Sequence, residues 1–269
     1  MNSARAWFEP TPDGSRFMLA HDPVGEPRGT IVYAPPFAEE MNRSRRMAAM
    51  AARAFAQAGW RVLMPDLRGC GDSAGDHGDV VWIDWVEDLR RVIAQADPSR
   101  PLWLWALRGG ALFVPAMLEQ RPDAHVLLWH PVVDGQQQLQ QFLRLKSAGS
   151  VAGAGESVDR KTLLAQLERG ESIEVAGYTL APGLALGMAA ARCTPRLKQL
   201  GRAVWMDVGA TSSVEPSPGT AMRLNAWREA GWRVEFEMVE GLPFWQTQEI
   251  AECEALITHS IHQINRELP

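Results

Sequence analysis

The stretch LWALRGGALF, Leu104–Phe113, carries a strand-like apolar run into small residues and then into an apolar pattern of helical spacing. Small residues let a strand turn sharply into a helix and present one side chain clear of the backbone. A hydroxyl at that corner would be a nucleophile. This chain places Arg108 there. A guanidinium stays protonated at any physiological pH, so it can neither attack a carbonyl nor serve as a base. What it can do is hold a carboxylate or phosphate bidentately. The helix that starts beyond it adds free N–H groups and a favourable dipole. The competing reading is a closed internal ion pair, because a buried arginine requires a carboxylate. Glu39 and Glu40 stand in the loop expected beside the corner, and Asp134 follows the adjacent strand. Both readings hold together if one donor face of Arg108 stays free.

His130 is the other residue with chemical potential here. It ends a strand, with Asp134 four residues on. Such a histidine can be a general acid or base, or simply a satisfied structural side chain. One alternative is therefore an active hydrolase or acyl transferase. In it, Glu39 or Glu40 with His130 would activate water, and Arg108 would stabilise the developing charge. Ser73, in GCGDSAGD, reads as turn chemistry, and Cys70 has no identifiable partner base. Asp66, Arg68 and Asp72 are expected to knit their loop by local ion pairs, and Ser44 to cap a helix. Arg43, Arg45 and Arg46 form a basic cluster that could steer an anion or could be a solvated helix end. No Walker loop, no glycine-rich dinucleotide fingerprint and no metal-ligand spacing is present, so no cofactor and no metal are expected.

These residues need a scaffold, and the pattern of elements supplies one. Eight strands are expected: 6–9, 16–21, 30–34, 60–65, 102–106, 126–130, 203–208 and 232–239. Helices are expected at 44–58, 81–96, 109–120, 218–230 and 247–265. Strands alternating with helices imply an α/β fold with a mostly parallel central sheet flanked by helices. Its sites should lie beyond the carboxyl ends of the strands. Residues 135–194 break the rhythm with helical segments joined by SAGSVAGAGES, expected to be a mobile loop. The expected division is a core of residues 1–134 and 195–269 with a helical cap or lid at 135–194. A formal charge of −5 argues against a nucleic-acid partner. Three scattered cysteines suggest a reducing compartment. The N-terminus has no long apolar core, and no apolar run is long enough to span a membrane. A cytoplasmic protein is expected.

The same residues carry a resemblance. Pro35-Pro36-Phe37 after a strand, the PDLRGCGDS loop (Pro65–Ser73), the Ala106–Gly110 corner and the helical insert after His130 together resemble the α/β-hydrolase fold. The wording PPFAEEMNRSRRM, LWALRGGAL and VEGLPFWQTQEI resembles a narrower group, the exosortase A system-associated hydrolase 2 proteins. That group accompanies a bacterial protein-sorting system linked to exopolysaccharide production. The resemblance implies an elbow of the form Gly-x-Ser-x-Gly, here Ala106-Leu107-Arg108-Gly109-Gly110, with the nucleophile gone. It implies a histidine just after the last strand, where Glu240 to Trp245 offer none; His259 and His262 come later, in a helix. It implies an acid near Val208, where the loop offers Glu215 and the strand Asp207. The N–H groups of Gly109 and Phe37 would be the remnants of an oxyanion hole. The leading expectation is thus a hydrolase-like protein with a degenerate triad. It would bind a small anionic or acyl ligand through Arg108, Gly109, Phe37 and Asp134. A scaffold contacting a protein partner of the exosortase system is a further alternative.

Overall fold

The computed structural model describes residues 3–151, 159–194, 201–211, 215–247 and 249–266. In chain order the strands are β1 (Ser3–Thr11), β2 (Gly14–Asp22), β3 (Thr30–Ala34), β4 (Arg61–Pro65), β5 (Leu102–Leu107), β6 (His125–Trp129), β7 (Ile173–Val175), β8 (Tyr178–Leu180), β9 (Arg202–Gly209) and β10 (Arg233–Glu240). The helices are α1 (Glu39–Gln57), α2 (Trp82–Ile93), α3 (Val114–Gln120), α4 (Gly135–Val151), α5 (Arg160–Glu168), α6 (Pro182–Ala190), α7 (Pro218–Glu229) and α8 (Glu254–Asn265).

Eight strands form one sheet in the order β1-β2-β4-β3-β5-β6-β9-β10. β2 runs antiparallel to both its neighbours, and the strands from β4 to β10 are parallel. All eight expected strands are present. β5 sits centrally and every residue of LWLWAL is buried, as a strand covered on both faces requires. Its side chains alternate between two cores. Leu102, Leu104 and Ala106 join the layer containing α2. Trp103, Trp105 and Leu107 join the layer containing Phe55 of α1 and Leu256 of α8. Tryptophan is the filler of that second layer, where Trp105 meets Phe55 and Trp129 edge-on at 5.2 and 4.9 Å.

Three helices differ from expectation. α1 starts at Glu39, five residues before Ser44, so Ser44 is buried inside it and its Oγ donates to Glu40 O at 2.6 Å. The two glutamates occupy the first turn, where the helix dipole favours negative charge. The corner after β5 is a 3-10 helix, Arg108–Phe113, and α3 begins only at Val114. Pro115 has no N–H to continue an α-helical bond to Ala111. α8 starts at Glu254, not near Thr247. The preceding chain instead turns to bury Phe244 and Trp245.

Between β6 and β9 the chain forms α4, α5 and α6 and one antiparallel hairpin, β7–β8. The hairpin is absent from the sequence expectations. Its turn residues, Ala176 and Gly177, have φ of 52° and 82°. Hairpin turns of that sort are announced by Asn-Gly, and alanine hides the signal. α6 packs on α2 closely enough that a Cβ on Gly187 would lie 2.3 Å from Trp82 Cβ. The stretch expected as a loop divides: residues 147–151 complete α4, and 152–158 lie outside the described residues.

Candidate functional site

Three neighbouring strands, β3, β5 and β6, end side by side, and each ends in a bent backbone. Ala38, Arg108 and His130 have φ of 50°, 52° and 41°. They are three of the four non-glycine residues with positive φ among the described residues, the fourth being Ala176. Each such residue costs about 1–3 kcal/mol and persists only where the surroundings impose it. Here the surroundings are tight. A Cβ on Gly110 would lie 2.2 Å from Ala34 O, so only glycine lets the corner pass that close to β3. The Val132 N–H donates to Arg108 O at 3.0 Å, pinning the bend from the other side.

The bend aims Arg108 into the protein. Its Nε donates to Glu40 Oε1 at 3.0 Å and its Nη1 to His130 O at 3.2 Å. The guanidinium carbon lies 5.2 Å from the Trp245 ring centroid. Arg108 and Glu40 side chains are 7% and 9% exposed, so this is a desolvated ion pair. Burial pushes the Glu40 carboxyl up, and the guanidinium opposes that shift. The hydrogen bonds of the Arg108 side chain among the described residues use Nε and Nη1 and leave Nη2 without one. The partner of Arg108 is therefore Glu40, not Glu39.

Asp134 is not brought to Arg108. Its Oδ1 accepts the N–H groups of Gln136 and Gln137 at 2.8 and 3.2 Å, and its Oδ2 lies 3.5 Å from Arg192 Nε. The free N–H groups of α4 capture it as a cap. Glu39 is half-buried, and its carboxyl is pushed up to about 7, chiefly by desolvation and further by Glu40, with Arg43 and Arg108 opposing. Among the described residues its Oε2 has no hydrogen-bond partner, nor do Glu40 Oε2 and Gln138 Oε1. Gln138 Oε1 lies beside Gly109, which keeps its place next to the corner, as does Phe37. The Phe37 ring meets Phe142 edge-on at 4.9 Å and Trp85 at 5.8 Å. The apolar space over Phe37 and Gly109 is nearly closed, at about 10 Å³.

The open space lies on the other side of Arg108. A cleft of about 320 Å³ is bounded by Arg108, His130, Gln137, Gln141, Asp207, Ser217, Thr220 and Arg223. His130 Nδ1 accepts the Val208 N–H at 3.1 Å, which in the neutral ring leaves the proton on Nε2. Burial and then Arg108 push His130 down from 6.5 to about 4. Asp207 Oδ1 lies 3.7 Å from Nδ1, but that nitrogen is already an acceptor, so the contact is not an ion pair at neutral pH. Asp207 is pushed up by burial and accepts Trp205 Nε1 at 3.1 Å. Neither Glu39 nor Glu40 is a hydrogen-bond partner of the His130 ring. Ser217 caps α7, accepting the Thr220 N–H at 3.1 Å, and Ser217, Gly219 and Thr220 at the start of that helix border the cleft. Arg223 makes no hydrogen bond or ion pair among the described residues. Sequence reasoning missed Gln138, Trp245 and Arg223. Gln138 lies in the run Gln136–Gln138, whose types alone mark no site, and nothing in their spacing marked the other two.

The remaining candidates have structural partners. Ser73 Oγ donates to Asp66 O and accepts the Phe17 N–H. Burial pushes the Cys70 thiol up to about 12, so it is not a thiolate. Arg68 does not pair inside its own loop; it reaches Asp13 at 3.0 Å and Asp84 at 3.3 Å. Arg43, Arg45 and Arg46 contact Gln246 O, Asp66 and Glu252. His259 is exposed and bonds Glu237. Among the described residues no group of three or more His, Cys, Asp or Glu side chains gathers as a metal site.

A sheet of this order with a strained corner after its central strand and a site at the strand ends defines the α/β-hydrolase class. The family model described as serine aminopeptidase, S33 matches residues 25–170, and the chain belongs to that family. No curated protein matches the chain. Among solved structures it is similar to Est1E from Butyrivibrio proteoclasticus with bound ferulic acid, at 12% identity, TM-score 0.63, covering 97% of this chain and 100% of that one. It is similar to a highly thermostable carboxyl esterase from Bacillus coagulans at 14% identity, TM-score 0.61, covering 98% and 99%. A thioesterase domain from the curacin biosynthetic pathway matches at 15% identity, TM-score 0.55, covering 98% and 100%. At these identities the likeness is one of fold. Among the described residues no helix is long and apolar enough to cross a membrane.

Proposed function

We propose that this α/β-hydrolase-fold protein has a degenerate triad and uses its elbow as an anion receptor. The carrying observation is Arg108. One side of its guanidinium is neutralised by Glu40, and Nη2 is left without a partner beside an open cleft. The ligand is a small carboxylate, either free or as the head of an acyl chain, held by Nη2, the His130 Nε2–H and the start of α7. Arg108 cannot be a nucleophile, and the hydrolytic route through serine is closed at this corner. Residues 135–194 act as the cap, with Gln137 and Gln141 forming the cleft wall. The chain works in the cytoplasm as an accessory of an exosortase A-type system, as its motif wording suggests.

A second reading has its own support. Glu39, with a carboxyl near 7 and an unpartnered oxygen, has the properties of a general base for water. The two readings separate by experiment. Calorimetric titration with acetate, butyrate and octanoate should give saturable binding that Arg108→Gln abolishes. No turnover of p-nitrophenyl esters is expected. Ester hydrolysis that survives Arg108→Gln and is lost in Glu39→Gln would replace the receptor by the enzyme. Carboxylate binding indifferent to Arg108→Gln would remove the receptor altogether.

A further inference from the structure

A second cavity lies at the opposite edge of the sheet, where β4, β5, β6 and β9 begin. It measures about 220 Å³, and its walls include Arg28, Trp60, Trp103, His125, Arg202 and Arg266. It and the elbow sit at the two ends of β5, roughly 20 Å apart. Among the described residues no carboxylate lines it. We propose that this cavity is a separate binding site for a phosphate-class anion, independent of the elbow cleft.

The charge count carries the case. Arg202, Arg233 and Arg266 share one carboxylate, Glu235, at 2.7, 3.7 and 3.7 Å. Asp123, two residues before His125, is taken up by two hydrogen bonds from Arg121. Arg28 has no ion pair or side-chain hydrogen bond among the described residues; its guanidinium lies 5.9 Å from the Trp60 ring centroid. A cationic basin on a chain of formal charge −5 is not an average patch of its surface.

The cavity wall is held in place. Arg202 is 3% exposed, lies over Trp103 at 5.4 Å, and is fixed by Gln263 O, Arg266 O and Glu235. His125 Nδ1 accepts the Arg202 N–H at 3.1 Å, so the neutral ring carries its proton on Nε2 and offers a donor. Burial and then Arg202 keep that ring below its ordinary titration range. Two exposed guanidinium forks, Arg28 and Arg266, bordering one cavity with a neutral N–H donor suit the several oxygens and double charge of phosphate better than a monocarboxylate. The volume is below the ~300 Å³ of ordinary ligand pockets. It fits a phosphate with a small substituent, or the phosphate end of a larger molecule that continues into solvent.

The test uses the full chain and titrates inorganic phosphate and phenyl phosphate against acetate by calorimetry. A parallel arm measures sedimentation with phosphatidylcholine vesicles containing phosphatidic acid. Arg28 and Arg266 are exposed, so Arg28→Gln/Arg266→Gln should fold normally, as near-UV circular dichroism would report; Arg202 is left intact. The double variant should weaken phosphate binding roughly a hundredfold, about tenfold per charged hydrogen bond lost. Arg108→Gln should leave phosphate binding unchanged. Binding to vesicles alone assigns the site to a lipid headgroup, and binding of the soluble probes alone to a free ligand. Three results overturn the proposal: no saturable phosphate binding in either arm, equal affinity for acetate, or loss in Arg108→Gln with none in the double variant. Failure here leaves carboxylate binding at Arg108 standing, and the converse also holds.

Discussion

The Glu40–Arg108 pair predicts an asymmetry between its two single variants. Both side chains are buried and joined at 3.0 Å. Removing one partner of such a pair costs about 3–5 kcal/mol, because the other charge is left desolvated and uncompensated. The two survivors are not equivalent. In Arg108→Gln, the remaining Glu40 already has its carboxyl pushed up by burial, and the group that opposes this is gone. It takes a proton and becomes neutral, so the cost falls to about 1–2 kcal/mol, the loss of one hydrogen bond and some packing. In Glu40→Gln, Arg108 cannot release its proton, and the full penalty of about 3–5 kcal/mol remains. Urea unfolding of wild type, both single variants and the double variant at pH 7 measures this directly. Glu40→Gln should be the least stable of the four, and adding Arg108→Gln to it should recover part of the loss. The Arg108→Gln variant should also lose stability as pH rises, because ionising its Glu40 becomes unfavourable. Since the cleft reaches Arg108, acetate should restabilise Glu40→Gln more than wild type. Equal costs for the two single variants, or a Glu40→Gln within ~1 kcal/mol of wild type, would show that this pair does not govern the buried charge.

Two further outcomes follow from the shifted carboxyl and imidazole. Glu39 is raised from 4.5 to about 7, so its contribution to stability is complete below pH 4.5 and is lost as pH rises through 7. With a discount for partial exposure, Glu39→Gln should gain about 1–2 kcal/mol on wild type between pH 5 and 8, and a pH-independent difference in urea unfolding would refute the shift. His130 is lowered to about 4, so the stability it contributes is present above pH 6.5 and lost as pH falls through 4. Long-range nitrogen–proton NMR at pH 6 should find a neutral ring protonated on Nε2, and a midpoint above 6 would contradict the buried assignment.

The sheet was legible because its strands are short β-branched and aromatic runs with turn residues at their ends. Thr30–Ala34 stops at Pro35-Pro36, and LWLWAL is apolar on both faces because both are covered. Helix starts were less legible. Ser44 looks like a cap, yet the glutamates before it are compatible with a first turn, and no local signal chooses between them. The corner at Arg108 could be placed from its small neighbours, but its partner could not. Glu39 and Glu40 are adjacent, and on a helix adjacent residues point about 100° apart. Which one faces β5 depends on where α1 begins, and that is set by the bend at Ala38. Asp134 misled for a related reason: a carboxylate two residues before helical N–H groups serves them before a guanidinium on another strand. Arg223 reaches the cleft, and the buried Trp245 reaches Arg108 and His130, only through the tertiary fold, and their own neighbourhoods in sequence carry no trace of it.

The strain at Arg108 bears on what the corner is for. A serine needs φ near 50° there to stand clear of the backbone and meet a histidine. An arginine has a long side chain and could reach Glu40 from relaxed backbone, so an ion pair alone does not explain a bend costing about 1–3 kcal/mol. The bend does two things that relaxed backbone would not. It turns Arg108 O toward the Val132 N–H, fixing the chain that follows β6. It also sets the fork so that Nε meets Glu40 and Nη1 meets His130 O, with Arg108 bordering the cleft. A guanidinium used as a structural tie spends its terminal nitrogens inside the protein, as Arg202 does with Gln263, Arg266 and Glu235. The contrast between these two buried arginines is the physical reason to treat Arg108 as a receptor and Arg202 as a strut that holds the second cavity in shape.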